Sequence, residues 1–361
     1  MAIDRDWPRD DTTAEWHTIS PPFSLKEHTM RKTLFTATAV ATTLLAAPLA
    51  SAASLTLYSG RGESMVEPII TQFEKDTGIN VQVRYGDTAQ LAVLLQEEGE
   101  RSPADLYWGQ DAGAMGAISQ AGLLAELPAD IYEGLPTIYT SESGNWVAAS
   151  GRARVVAYSP ERVDEGELPE SVFDLTDERY EGRVGWAPTN GSFQSFLTAM
   201  RVEHGDETTR EWLEGMRDNG AVTFRNNTTQ VQGIADGEID FGLVNNYYLP
   251  RFKATDADYP VEQAFFADGD IGNLVNVAGI AVVGSSSKQQ EAVEFIRYLL
   301  SPAAQQYFTG NVYEYPVTRN VIQNPILEDF DRLLEVSPQI NLDDLEDLEG
   351  TLNLLRDVGL L

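Results

Sequence analysis

The chain has no cysteine among its 361 residues and only three histidines. Without cysteine there is no disulfide framework, no thiolate metal site and no thiol nucleophile. His17 and His28 precede the segment read below as an export signal, which leaves His204 alone for the folded part. His204 lies in the polar run Arg201-Val202-Glu203-His204-Gly205-Asp206, which reads as surface rather than as a metal or catalytic site. A serine triad needs a general base, and there is neither a Gly-x-Ser-x-Gly elbow nor a zinc motif to give His204 a role. Acids are too abundant for composition to exclude a secreted hydrolase working through paired carboxylates, but no pair stands out. Basic residues are also scarce, with 25 Lys and Arg against 56 Asp and Glu and a net charge of −31. Such a surface repels nucleic acid and anionic lipid. It reads first as a coat that stays soluble in high salt, where screening removes the self-repulsion.

Long apolar runs are rare, and the one near the start is short and bounded. Met30-Arg31-Lys32 is a basic opening, Leu34 to Leu49 is apolar, and Ala50-Ser51-Ala52 is a small-x-small cleavage pattern. Residues 30–52 are therefore expected to be a cleaved signal peptide and the protein to work in the periplasm. With no cysteine at the cut, no lipid anchor is expected. Residues 1–29 lack apolar periodicity and read as disordered or as the product of an upstream start codon. About 309 residues remain, comfortable for two cores. Removing residues 1–52 takes away six acids and five bases and leaves a charge of about −30.

The remaining pattern alternates between strand and helix. Leu55-Thr56-Leu57-Tyr58 is a strand, and Val66, Ile69, Ile70 and Phe73 form the apolar face of a helix stopped by Gly78. Val81 to Tyr85 is a second strand, Asp87 can cap a helix bearing Leu91, Leu94 and Leu95, and Ala104 to Trp108 is a third strand. This predicts an α/β fold with a mostly parallel sheet in its first part. A second unit starts near Arg152. Arg154 to Tyr158 and Val277 to Val283 read as strands crossing between lobes, with others at Val184 to Ala187, Val222 to Phe224 and Phe241 to Val244. A helix is expected over 291–300, and Ser301-Pro302 opens the next. The expected lobes are 53–152 plus 278–330, and 153–277 plus 331–361. No linker rich in Gly, Ser or Pro joins them, so a hinge and a cleft are expected.

The most informative stretch is Asn245-Asn246-Tyr247-Tyr248. With thiol and imidazole absent, a metal site must be built from oxygen. Two phenolates are hard donors suited to a hard cation, Fe(III) above all. A phenol is neutral near pH 7, its pKa being about 10, so only a strongly polarising ion ionises both. Paired aromatics at a strand end also pack against cores or line sugar pockets, and that reading stays open on the dipeptide alone. Three further features suit an anion beside the tyrosines. Asn190-Gly191-Ser192 turns into a helix, whose free N–H groups and dipole attract anions. Arg152 can hold an oxyanion bidentately. Asn227 and Asn245 are neutral donors. A metal-free receptor for an organic anion or phosphonate remains possible. A polyamine receptor would use the acids and aromatics but not the anion-attracting turn and Arg152.

From Leu55 onward the chain resembles the periplasmic ferric-ion-binding proteins, the solute receptors of bacterial iron ABC importers. The stretches that carry the resemblance are Leu57-Tyr58-Ser59-Gly60-Arg61, Arg101-Ser102-Pro103-Ala104-Asp105, Ser150-Gly151-Arg152-Ala153-Arg154-Val155, Pro188-Thr189-Asn190-Gly191-Ser192-Phe193, Gly237-Glu238-Ile239-Asp240, Asn245-Asn246-Tyr247-Tyr248 and Glu314-Tyr315-Pro316. It implies a two-lobed type II periplasmic-binding-protein fold, monomeric and non-enzymatic. Its lobes would close on one Fe(III) held by Tyr247 and Tyr248 and hand it to an inner-membrane ABC permease. It also implies a synergistic anion, phosphate or carbonate, surrounded by Asn190, Gly191, Ser192, Asn227 and Asn245, with Arg152 near it. The first lobe departs from the family pattern. Gly62 stands where some members place a histidine and Gln110 where some place a glutamate, and no third tyrosine lies near Asn190. Glu63 and Asp111 are the carboxylates expected to replace those ligands, with Arg61 and Gln110 in the same loops.

Overall fold

The first strands form because β-branched and aromatic residues alternate with polar ones, and each strand feeds a helix that covers the sheet. In the computed structural model, which describes residues 54–361, β1 (Ser54–Ser59) lies between β2 (Asn80–Tyr85) and β3 (Leu106–Trp108), parallel to both. The expected signal peptide at 30–52 and the stretch 1–29 lie outside the described residues. Helix α1 (Glu63–Thr77) buries Val66, Ile69, Ile70 and Phe73, the face expected from their spacing. It ends where Gly78 takes a left-handed φ of 75° and donates its N–H to the Glu74 carbonyl. Asp87 caps α2 (Thr88–Glu98) by accepting from the Ala89 and Gln90 amides. Asp111 caps α3 (Ala112–Gln120) in the same way, through the Ala114 amide.

The sheet continues into the second lobe through one long strand. β4 (Val147–Tyr158) is followed by β5 (Val184–Trp186), β6 (Val222–Thr223), β7 (Phe241–Asn245), β8 (Glu262–Ala264) and β9 (Val275–Val282). The strand order is β2-β1-β3-β9-β4-β7-β5-β6, with β8 beside β4. From Val147 to Ala153, β4 pairs antiparallel with β9, which in turn pairs with β3. From Arg154 to Tyr158 it pairs with β7, and its last three residues also pair with β8. One strand thus belongs to both lobes. It starts seven residues before the Arg154 expected from sequence, because Val147, Ala148 and Ala149 are buried against β9 and α-helical cover rather than exposed. Gly151 is required there, since a Cβ would fall 2.9 Å from the Tyr139 ring and 3.0 Å from its hydroxyl. A third chain crosses at the same point: Tyr315 exchanges both backbone hydrogen bonds with Gly151, at 2.7 and 2.8 Å.

The remaining helices are α4 (Gly191–Asp218, broken at Gly205), α5 (Asn227–Ala235), α6 (Tyr248–Lys253), α7 (Gln289–Leu299), α8 (Pro302–Tyr307), α9 (Phe330–Val336) and α10 (Leu348–Asp357). Ser301 caps α8, as its Ser-Pro signature suggests. One apolar cluster lies within the first lobe, and a larger one runs from α2 and α3 into the second lobe. The first packs α1 and α7 around Trp108, Phe73 and Phe295; the larger packs α4 around Trp186, Phe193 and Trp212. The last segment was expected to lie on the second lobe. It touches both, since the turn Leu342–Leu345 packs on α3 while α10 packs on α4.

A buried ion pair ties the first lobe to the crossing point. The Arg61 guanidinium donates to both Glu314 oxygens, at 2.9 and 2.8 Å, and both side chains are about 1% exposed. Ser150 on β4 also donates to Glu314. Burial alone would push the Glu314 carboxyl up, but Arg61 overcomes it and holds the group below its ordinary range. A depressed carboxylate contributes stability above its unfolded-state pKa and loses it as pH falls through the folded-state value. Breaking one half of a buried pair leaves the other charge uncompensated. We therefore expect Glu314→Gln to cost about 3 kcal/mol in urea unfolding at pH 7, with the gap between variant and wild type narrowing under strong acid. An unfolding midpoint equal to the wild type at pH 7 would show that the pair does not support the hinge.

Candidate metal and anion centre

The tyrosine pair is positioned by the turn that ends β7. Asn246 fixes that turn: its N–H donates to the Ala153 carbonyl at 2.9 Å, its side-chain oxygen accepts from the Ala153 amide at 2.9 Å, and its side-chain nitrogen donates to the Tyr313 carbonyl at 3.3 Å. The turn is therefore pinned to the crossing strand. Helix α6 begins at Tyr248, and the two rings stack with centroids 4.4 Å apart and planes at 29°. Their hydroxyls lie 3.3 Å apart, so both phenolic oxygens point at one place. Both line a cleft of about 780 Å³ shared by the two lobes, with Gln110, Asp111, Arg152, Asn190 and Arg251 among its other walls. Burial pushes the Tyr248 phenol well above its ordinary pKa, and the neighbouring Tyr247 adds to the rise; Arg251 and Asn227 oppose it. Tyr248 therefore rests neutral at pH 7, and a cation that takes it as a phenolate must supply the energy to ionise it.

The expected anion residues converge beside the tyrosines. Asn190 caps α4, and its side-chain oxygen accepts from the Ser192 amide at 3.2 Å, the Ser192 hydroxyl at 2.6 Å and the Asn227 side chain at 3.3 Å. Gly191 has open space where a Cβ would project. Behind this turn lie donors with no protein partner. Both terminal nitrogens of Arg152, one of Arg154 and the side-chain nitrogen of Asn245 are buried without a hydrogen bond. Buried polar groups are normally satisfied, so a cluster of free cationic and amide donors is a cradle suited to an oxyanion. Arg154 is wedged by its rings Phe193 and Phe196, at 5.5 and 4.9 Å, and donates to the Leu243 carbonyl at 2.8 Å. Burial, then the neighbouring Arg152, pushes its pKa down to about 9.

This geometry agrees with comparison to known proteins. Residues 68–330 match the family model described as bacterial extracellular solute-binding protein. The major ferric iron-binding protein of Neisseria meningitidis serogroup B is 32% identical over 334 residues, which cover 90% of this chain and 99% of that relative. The chain belongs to the periplasmic ferric-ion-binding protein family. Among solved structures, iron-bound HitA from Pseudomonas aeruginosa superposes with a TM-score of 0.78 at 34% identity, covering 85% of this chain and 99% of that one. A Trichodesmium protein solved with iron and citrate gives a TM-score of 0.75 at 27% identity, covering 85% of this chain and 100% of that one. The fold is thus the two-lobed type II periplasmic-binding-protein fold expected from the resemblance.

Within this family member, the first-lobe residues divide. Asp111 lines the cleft, but its side chain caps α3; burial pushes its carboxyl up, while Arg152 and the Ala114 amide pull the other way. Gln110 lines the cleft and accepts from Arg61 at 2.9 Å. Arg61 itself is turned to Glu314 and is not among the cleft-lining residues. Glu63 stands exposed in the first turn of α1, also outside the lining, whereas its neighbours Gly62 and Met65 belong to it. His204 is exposed and meets Phe173 edge-on at 5.1 Å, away from the cleft. Among the described residues no three His, Cys, Asp or Glu side chains are grouped to hold a metal.

Sequence reasoning overlooked two residues. Arg251 lies over both tyrosine rings, at 4.6 and 5.7 Å, and reaches within 3.5 Å of the Met65 sulfur in the other lobe. Its signal was the spacing, three and four residues beyond the pair on one helix face. Arg154 was legible as the next residue on the same strand face as Arg152. Because Tyr247 contributes to the raised Tyr248 pKa, Tyr247→Phe should let Tyr248 ionise at lower pH. Ultraviolet difference titration of phenolate formation checks this; an unchanged or higher Tyr248 midpoint would mean that the phenols do not interact.

Proposed function

We propose that the protein is a periplasmic receptor that binds one Fe(III) between Tyr247 and Tyr248, together with a small oxyanion such as phosphate or carbonate, and passes it to an inner-membrane ABC permease. Its relatives are solute-binding proteins of iron uptake, not enzymes. The observation that carries the reading is the 3.3 Å approach of two phenolic oxygens in a cleft backed by buried, unpaired cationic donors. Two phenolates that close would repel each other, and only a highly charged ion placed between them reverses the sign of that interaction. Loss of two phenolic protons leaves the ion with one positive charge and open coordination positions. An oxyanion seated between the ion and Arg152, Asn190, Ser192, Asn227 and Asn245 fills both needs. The unpaired Arg152 and Asn245 donors then acquire the partners that the free protein does not provide. Arg251, stacked on the rings, favours the phenolate form of Tyr248.

Asp111 is the carboxylate best placed to add a first-lobe donor, since it already lines the cleft. Glu63 would need α1 to move before it reached the ion. Water or anion oxygens complete the shell otherwise. Release then follows from loss of the anion, from reduction to the softer Fe(II), or from forced opening at the permease.

Equilibrium competition against a chelator of known strength tests this reading. Tyr247→Phe and Tyr248→Phe should each lower ferric affinity at least about a hundredfold, roughly 2.7 kcal/mol. The double variant retaining wild-type affinity would sink the assignment. The same competition across pH has a fixed sign. Because binding displaces two protons from neutral phenols, chelator-corrected affinity should rise with pH, by up to about a hundredfold per unit below the phenol pKa. A flat profile would contradict phenolate ligation.

A further inference from the structure

The chain's last segment crosses the mouth of the cleft. The turn Leu342–Leu345 buries Leu342 and Leu345 against α3, and the contact is close because α3 carries Gly113 and Gly116. A Cβ at Gly113 would fall 2.6 Å from the Leu345 carbonyl oxygen, and one at Gly116 would fall 2.9 Å from that of Asp343. Asp343 accepts from the Trp146 indole at 2.7 Å and from the Glu142 amide at 2.8 Å, both on the first-lobe side. Ser141 donates to the same carboxylate at 3.4 Å. Four residues after Asp343 the chain is anchored on the second lobe. Arg201 of α4 donates to the Asp347 carbonyl at 3.0 Å and to its carboxylate at 2.9 Å, the Thr198 and Thr351 hydroxyls meet at 2.8 Å, and Leu354 and Leu355 are buried. At and around these anchors Leu345, Glu346, Leu348 and Glu349 form part of the cleft wall, and one Glu346 oxygen is buried without a partner.

Opening of the lobes must carry α4 away from α3. Only Glu346 lies between the anchor residues Leu345 and Asp347, and two residue steps span at most roughly 7 Å when fully extended. One anchor must therefore let go for a wide opening. The second-lobe anchor has a helix of ten residues, with further bonds from Arg217 to the Val358 carbonyl and from Arg210 to Asp357. The first-lobe anchor is a single turn held by Leu342, Leu345 and the Asp343 carboxylate. We propose that Leu342–Asp357 is a strap: it stays on α4, docks reversibly on the first lobe by packing on α3 and by the bonds of Asp343 to Ser141, Glu142 and Trp146, and sets how far the cleft opens in the absence of cargo.

The chain has no cysteine, so labels and crosslinks can be placed without background. Val93 on α2 and Val202 on α4 are exposed on opposite lobes. Spin labels on Val93→Cys and Val202→Cys give the lobe separation in iron-free protein. Adding Asp343→Ala should introduce a population longer by at least about 5 Å, within the reach the joining residues otherwise forbid. Distance distributions identical with and without Asp343→Ala would overturn the strap. Ser141→Cys with Asp343→Cys gives the reciprocal test. Once oxidised, this pair should slow ferric loading, followed by fluorescence quenching, at least tenfold, and reduction should restore it; equal rates in both states would likewise overturn it. The label distances need no iron, so failure of the ferric reading and failure of the strap give different results.

Discussion

Everything at the proposed site depends on holding two phenols side by side, their hydroxyls 3.3 Å apart, at the turn that ends β7. The Asn246 side chain pins the β7 turn to the crossing strand, and the turn delivers Tyr247 and Tyr248 as a stacked pair. Burial, and then the neighbouring Tyr247, keep Tyr248 neutral. On the proposed reading, Tyr248 stays uncharged until a strongly polarising cation arrives. The site would then discriminate against abundant weakly polarising ions, in spite of a chain whose net charge of −31 draws cations of every kind. Selectivity on this account comes from proton displacement, not from a preformed cage of carboxylates, and no such cage exists among the described residues.

The second constraint is the excess of buried positive charge behind the tyrosines. Arg152 lies close enough to Arg154 to disfavour its charge, and both terminal nitrogens of Arg152 and one of Arg154 have no partner. That arrangement costs stability in the free protein. It persists because the surrounding elements fix it: β4 pairs on both sides, Arg154 is wedged between aromatic rings, and Arg61 with Glu314 locks the nearby crossing point. On the proposed reading, an oxyanion would relieve the excess and a ferric ion would take up the phenols. Each makes the other's binding easier, which is linkage through charge and needs no change of fold.

Much of this was legible in the sequence. The strand–helix alternation, the face of α1, the Asp87 cap and the Ser301-Pro302 helix start follow from local periodicity and capping, which do not need tertiary context. The extent of β4 was not, because Val147 to Gly151 are small or apolar and reveal their pairing only once β9 is beside them. β8, α6 and α9 are too short for a periodic signal. The last segment escaped for another reason: its role is a contact between lobes that no local pattern encodes. At the site, Tyr247, Tyr248, Arg152, Asn190, Gly191 and Ser192 line one cleft, and Asn227 reaches it through Asn190. Glu63 does not line it, because in the first turn of α1 its side chain faces solvent, and adjacency in sequence to Gly62 says nothing about direction.

The central claim is that two adjacent phenolates hold one ferric ion. The most direct measurement is a visible absorption titration of the purified protein with Fe(III), supplied as a weak chelate in the presence of phosphate or carbonate. Phenolate-to-iron charge transfer gives a broad visible band, and the account predicts that it saturates at one iron per protein. A folded protein that takes up iron without such a band, or takes up none, would contradict the account and point to a metal-free anionic solute.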